Sequence, residues 1–158
     1  MLKTPIVFPV LEDDLWELHE TFQFWVPGVG LLRVMSGFRF DGLSIPKFAW
    51  GIVGHKLEGK GLAGALFHDA LYSSKLVHRA IADRVLLYLL RIYAPCIVTD
   101  KGWWATLKTA YRRYSWLLKA YTMFGFVRAF GWWPWCRRKI SSVRASRKFV
   151  SCHSLDKG

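Results

Sequence analysis

Two short polar runs interrupt apolar stretches of this chain, and they hold the side-chain types that do chemistry. The first is Asp41-Gly42-Leu43-Ser44-Ile45-Pro46; the second is His68-Asp69, set between Ala65-Leu66-Phe67 and Ala70-Leu71-Tyr72. Ten residues further on come His78, Arg79 and Asp83. A carboxylate in apolar surroundings is costly unless it is paired, hydrogen-bonded or bound to metal. Three chemistries fit these residues. His68, Asp69 and Asp83 are a sensible ligand set for a divalent metal, with Asp41 as a further acid, and a bound metal would activate water for hydrolysis. Without a metal, His68 is a general base that an Asp orients. Ser44 is then a candidate nucleophile. The structural alternative stands beside these: Asp41 and Ser44 capping the turn at Pro46, and His68, Asp69, Arg79 and Asp83 forming a buried polar network that pins helix to sheet. Arg79 and Asp83 are i, i+4 neighbours in the order that contributes least on an exposed helix, a few tenths of a kcal/mol. A two-histidine hydrolase pattern built on His68-Asp69 needs an earlier histidine, and neither His19 nor His55 has a matching context.

The elements that must position these groups change character at residue 61. Before it the chain reads as strands and turns. Ile6-Val7-Phe8 is short and rich in β-branched residues, 15–26 is aromatic and closes on Pro27-Gly28, and 31–40 alternates around Leu32, Val34, Phe38 and Phe40. Ser36-Gly37 interrupts that alternation and predicts a bend or bulge. From Gly61 the period is helical. Leu62, Leu66 and Ala70 share a face up to Ser73-Ser74, either of which is a candidate cap for a second helix over 75–93. Val77, Ile81, Val85 and Leu89 line that helix, and Pro95 marks its end. Asp100 is a candidate cap for a third helix with an apolar stripe of Trp104, Leu107, Tyr111, Tyr114 and Leu118, and 121–130 continues helical to Gly131 and Pro134. These elements predict an α+β domain over 1–136, an N-terminal antiparallel sheet packed against a C-terminal helical layer, followed by a basic, flexible tail over 137–158.

Composition sharpens the division. Hydrophobic residues make up 53% of the 158 and charged residues 22%, so the body is not a disordered polymer. Three cysteines in 158 residues exclude a disulfide scaffold, and Cys96, Cys136 and Cys152 form no C-x-x-C pair, which excludes the common zinc ribbons. No phosphate-binding glycine loop, G-x-S-x-G elbow or H-E-x-x-H helix occurs. Residues 1–100 hold ten Lys/Arg and ten Asp/Glu, whereas 101–158 hold thirteen Lys/Arg against Asp156 alone, so the formal charge of +12 sits in the last third. Six of the nine Trp are there too. The partners that suit such a segment are nucleic acid, an anionic membrane surface or an acidic protein surface, met through 101–150. Most of these Trp are expected to be core or helix-packing residues. The N-terminus shows no secretory signal. The most apolar window, 116–135, carries Arg128 near its middle and is expected to pack on the body rather than span a bilayer.

The motifs also carry a family resemblance. Gly37-Phe38-Arg39-Phe40-Asp41-Gly42-Leu43-Ser44-Ile45-Pro46-Lys47 resembles G-F-x-T-D-x-x-S-[IV]-P-[RK], and Ala65 through Tyr72 resembles A-x-x-H-D-x-L-Y. Arg79 through Asp83 resembles R-x-x-A-D, and Tyr121 through Val127-Arg128, Gly131 and Trp135 resembles a closing y-x-x-V-R-x-x-G-x-x-W. Over residues 31–135 the chain is similar to the phage and prophage family catalogued as domain of unknown function 1353. The resemblance implies a single α+β domain, a bacteriophage or prophage accessory protein acting in the host cytoplasm or the virion, and a polar signature at Asp41, Ser44, Pro46, His68, Asp69, Arg79 and Asp83; the alternative to a hydrolase is then a non-enzymatic virion-associated or host-interaction protein that meets nucleic acid, membrane or a phage structural protein through 101–150. It implies no established activity. The chain departs from the pattern at Phe40, where Thr is frequent.

Overall fold

The computed structural model describes residues 2–10, 15–40, 61–99, 102–137 and 139–153. Two three-stranded antiparallel sheets form from the alternating segments. β1 (Val7–Val10), β2 (Leu15–Leu18) and β5 (Arg39–Phe40) lie in the order β1-β2-β5; β3 (Phe22–Val26), β4 (Gly30–Val34) and β6 (Val150–His153) lie in the order β3-β4-β6. Period-2 burial is clear in β4, where Leu32 and Val34 are fully buried and Leu31 and Arg33 are partly open. Pro27-Gly28 makes the turn of the β3–β4 hairpin, with Val26 opposite Gly30. The predicted bend falls at Gly37, whose φ of +80° suits a residue without a Cβ. It turns the chain so that Phe38 and Phe40 are both buried. Phe40 is therefore a core residue here, paired across the sheet with Trp16, which gives the departure from Thr a packing role.

Helix α1 (Leu62–Ser74) is the centre of the fold. Ala63 through Ser74 are all buried, so the helix is enclosed on every side rather than amphipathic. Small residues (Ala63, Gly64, Ala65, Ala70) let neighbours approach. Leu66, Phe67 and Leu71 fill the core with Leu18, Phe22 and Leu32 from the sheets, each such side chain contributing about 1.5–3 kcal/mol by burial. Helix α2 (Arg79–Ile92) packs on α1 through Ala82, Val85 and Leu89. Its cap is His78, whose Nδ1 accepts from the Ala80 N–H at 3.3 Å. Ser73 and Ser74, expected to serve that role, are still inside α1, which ends on Lys75 in the left-handed conformation. Helix α3 (Trp103–Phe130) is one continuous helix whose inner face (Trp116, Ala120, Met123, Val127) packs on Leu86 and Leu90 of α2. The Trp116 indole donates to the Leu90 carbonyl at 2.7 Å. A short α4 (Trp132–Arg137) follows, with Pro134 in its first turn, where a missing N–H is harmless. Asp100, the expected cap of the third helix, lies outside the described residues.

Two expectations are corrected by this packing. The C-terminal segment is not a flexible tail over the span described. Residues 140–147 form α5 (Ile140–Arg147), and β6 completes the second sheet against β4, opposite Leu31 through Val34. Val143 and Val150 are buried and Arg147 Nε donates to the Ser74 carbonyl at 2.9 Å. Charge density concealed two inward valines and a strand. The second correction concerns the C-terminal Trp residues. Trp103, Trp104, Trp132 and Trp133 are half or more exposed, and only Trp116 and Trp135 pack inward. A helix laid on a body by one face has no core for the other. Among the described residues no helix is long and apolar enough to cross a membrane.

Candidate functional site

The polar residues of α1 and α2 meet because each lies on the facing side of its helix. His68 and Tyr72 are one turn apart on α1, and Asp83 sits on the second turn of α2, fully buried. Asp83 Oδ1 accepts from the Tyr72 hydroxyl at 2.6 Å and from His68 Nε2 at 3.2 Å. Its other oxygen, Oδ2, accepts from Arg128 Nη1 at 3.1 Å, and Arg79 Nη1 lies 3.8 Å away. Arg79 also donates to the Arg128 carbonyl at 3.2 Å. One carboxylate thus joins α1, α2 and α3. The network pins helix to helix, not helix to sheet as its residue types suggested.

The electrostatics follow from this enclosure. For Asp83, burial is the largest influence and favours the neutral acid, but His68, Tyr72 and Arg128 together outweigh it and hold the carboxyl below its ordinary value. For His68, burial is again the largest influence and disfavours the imidazolium, yet Asp69 and Asp83 prevail and raise its pKa above 6.5. Tyr72 is pushed well up, by burial first and then by Asp83. An ionised Asp83 can only accept, so the Nε2 that faces it carries the proton. Proton exchange at His68 is therefore left to Nδ1. That atom is buried and has no hydrogen-bond partner among the described residues; Asp69 Oδ1 stands 3.8 Å from it.

The arrangement is held by aromatic and glycine packing. The Tyr72 ring lies 4.1 Å from the His68 ring and meets Trp135 edge-on at 5.0 Å. A Cβ at Gly131 would fall 2.7 Å from the Tyr72 hydroxyl and 2.4 Å from the Val127 carbonyl oxygen, so only glycine lets the end of α3 approach so closely.

Of the sequence candidates, His68, Asp69, Arg79 and Asp83 are brought together, while Asp41, Ser44 and Pro46 lie outside the described residues. The metal set fits poorly. Among the described residues no group of three His, Cys, Asp or Glu side chains is placed to hold an ion, and both Asp83 oxygens are engaged by the donors named above. The spacing argument missed Tyr72 and Arg128. Both stood in the motif runs, Tyr72 one helical turn after His68 and Arg128 in the closing segment, but a spacing argument confined to His and Asp passes over them.

A family described as protein of unknown function (DUF1353) matches residues 16–106, more than half of the chain. The chain belongs to that family. His68, Asp69, Tyr72, Arg79 and Asp83 lie inside the matched span of this DUF1353 member, whereas Arg128, Gly131 and Trp135 lie beyond it. The chain is also similar to the uncharacterized protein y4jT of Sinorhizobium fredii (strain NBRC 101917 / NGR234), with 38% identity over 61 residues. That stretch is 39% of this chain and 18% of y4jT, so the match spans less than a fifth of the relative. No solved structure matches the chain.

Proposed function

We propose that this DUF1353 domain is a bacteriophage or prophage accessory protein whose His68 acts as a general acid–base group in a hydrolytic reaction. One observation carries the reading: an imidazole locked through Nε2 by a buried carboxylate, with its buried Nδ1 making no hydrogen bond among the described residues and a second carboxylate, Asp69, 3.8 Å from it. Asp83 acts as a positioning residue, setting the tautomer and stabilising the imidazolium, as an orienting carboxylate does for a catalytic histidine. Tyr72, Arg79 and Arg128 keep Asp83 ionised. In the imidazolium state Nδ1–H can protonate a leaving group; after deprotonation the same nitrogen can take a proton from water. No step here requires a metal.

The test is a hydrolysis screen of the purified chain against nitrophenyl esters, phosphodiesters and peptides, with and without chelator, followed by His68→Gln. The expected result is a turnover that chelator leaves intact and that His68→Gln lowers at least a hundredfold while the far-ultraviolet circular dichroism is unchanged. Turnover that survives His68→Gln would leave the network a purely structural role.

A further inference from the structure

We propose that the outer face of α3 is a surface that lies on an anionic lipid membrane, in the plane of the headgroups. Trp104, Leu107, Tyr111, Tyr114, Leu118 and Tyr121 recur at alternating spacings of three and four, which places all six on one side of the helix. Each is 50–75% exposed. The inner face is fixed on α2 through Trp116, Ala120 and Met123, so the helix cannot roll to hide them. A contiguous apolar stripe along a helix about 42 Å long is more than a soluble monomer ordinarily leaves open.

Charge and side-chain chemistry select the occupant. Lys108, Arg112 and Lys119 run along one margin of the stripe, and residues 101–155 contain no Asp or Glu. A second copy docked here would set cation against cation with no acid to relieve them. A helical partner of any kind would form a dry seam over three phenols, whose hydroxyls lose hydrogen bonds when buried without partners. Nucleic acid would be met by cations at the centre of the patch, where Leu107, Tyr114 and Leu118 stand instead. A lipid surface satisfies every element: acyl chains take the leucines, headgroup water and phosphate take the phenols, and lysine and arginine reach anionic headgroups from the margin. Tryptophan favours that interface, and the exposed pair Trp103 and Trp104 (ring centroids 3.8 Å apart) stands at the N-terminal end of the stripe. This surface is independent of the His68 centre.

The experiment is co-sedimentation of the full chain with vesicles of phosphatidylcholine containing about 30% phosphatidylglycerol, against phosphatidylcholine alone, at low and high salt. Binding to the anionic vesicles should be at least tenfold tighter, and should weaken with salt. Leu107→Asp with Leu118→Asp should reduce it at least tenfold. Lys108→Gln with Arg112→Gln and Lys119→Gln should reduce it by a similar factor at low salt only. Tyr111→Ser with Tyr114→Ser, a milder pair, repeats the apolar test should the aspartates impair folding. Three outcomes overturn the proposal: no association with anionic vesicles, association that every stripe variant retains, or a dimer in sedimentation equilibrium that the leucine variants dissociate in a chain that ignores lipid.

Discussion

The two faces of α3 treat charge in opposite ways. On the inner side its last turn sends Arg128 to Asp83, a carboxylate with no exposed surface whose oxygens also receive His68 and Tyr72. On the outer side Lys108, Arg112 and Lys119 stand beside exposed aromatics with no acid in their stretch of sequence. The difference teaches where specificity resides. A charge taken from water must be met by several well-aimed partners or the fold fails. A charge left in water constrains nothing within the chain and is available to something outside it.

The comparison can be broken most directly at Asp83. Asp83→Ala leaves His68 and two arginines around an empty buried site and should cost about 3–5 kcal/mol in urea denaturation; a cost below about 1 kcal/mol would mean that the inner cluster is as dispensable as the outer face. Next comes Gly131→Ala, which drives a methyl onto the Tyr72 hydroxyl and the Val127 carbonyl and should cost about 1–3 kcal/mol. Combined with Tyr72→Phe its cost should be less than additive, since the double variant removes one of the two clashing atoms.

A pH series sharpens the contrast. The His68 pKa is raised on folding, so its contribution is complete below the unfolded value near 6.5 and is lost as pH climbs through the folded value. The Asp83 pKa is lowered, so its contribution is present above the ordinary carboxylate range and is lost as pH falls through the folded value. The melting temperature should therefore fall on both sides of a mildly acidic plateau, and His68→Gln should flatten the alkaline limb. An alkaline limb unchanged in His68→Gln would assign it to another group. The smallest effect is expected outside: Leu107→Ser with Leu118→Ser should change unfolding free energy by less than about 0.5 kcal/mol, and a larger loss would show that the stripe packs against the body.

Much of the frame was legible before any coordinates. Alternation in 31–34, the Pro27-Gly28 turn, the bend at Gly37 and the helices after Gly61 all follow from local stereochemistry. Their α+β arrangement follows from which segments carry which period. What misled was composition read as conformation. Six of the fourteen residues in 137–150 are Lys or Arg, yet Val143 and Val150 suffice to seat α5 and β6, because an edge strand needs backbone pairing and a few inward side chains rather than a low charge. The Trp-rich stretch misled in the opposite sense, since aromatic content predicted burial where only one helix face had a neighbour.

The candidate site divides the same way. His68, Asp69, Arg79 and Asp83 announced themselves as polar groups in apolar helices, and desolvation required that they find partners. Which partners they found was a matter of helix packing: Tyr72 and Arg128 joined because α1, α2 and the end of α3 converge where Gly131 allows close approach. The sequence by itself determined the element types, the charge lopsidedness and the membership of His68 and Asp83 in one polar set, because these depend on local backbone preference and on the cost of burying charge. Only the tertiary structure decided that Asp83 is the hub, that Nδ1 is the imidazole nitrogen without a hydrogen bond among the described residues and that the aromatic stripe faces outward. Each of those depends on the relative rotation of helices, which no local pattern encodes.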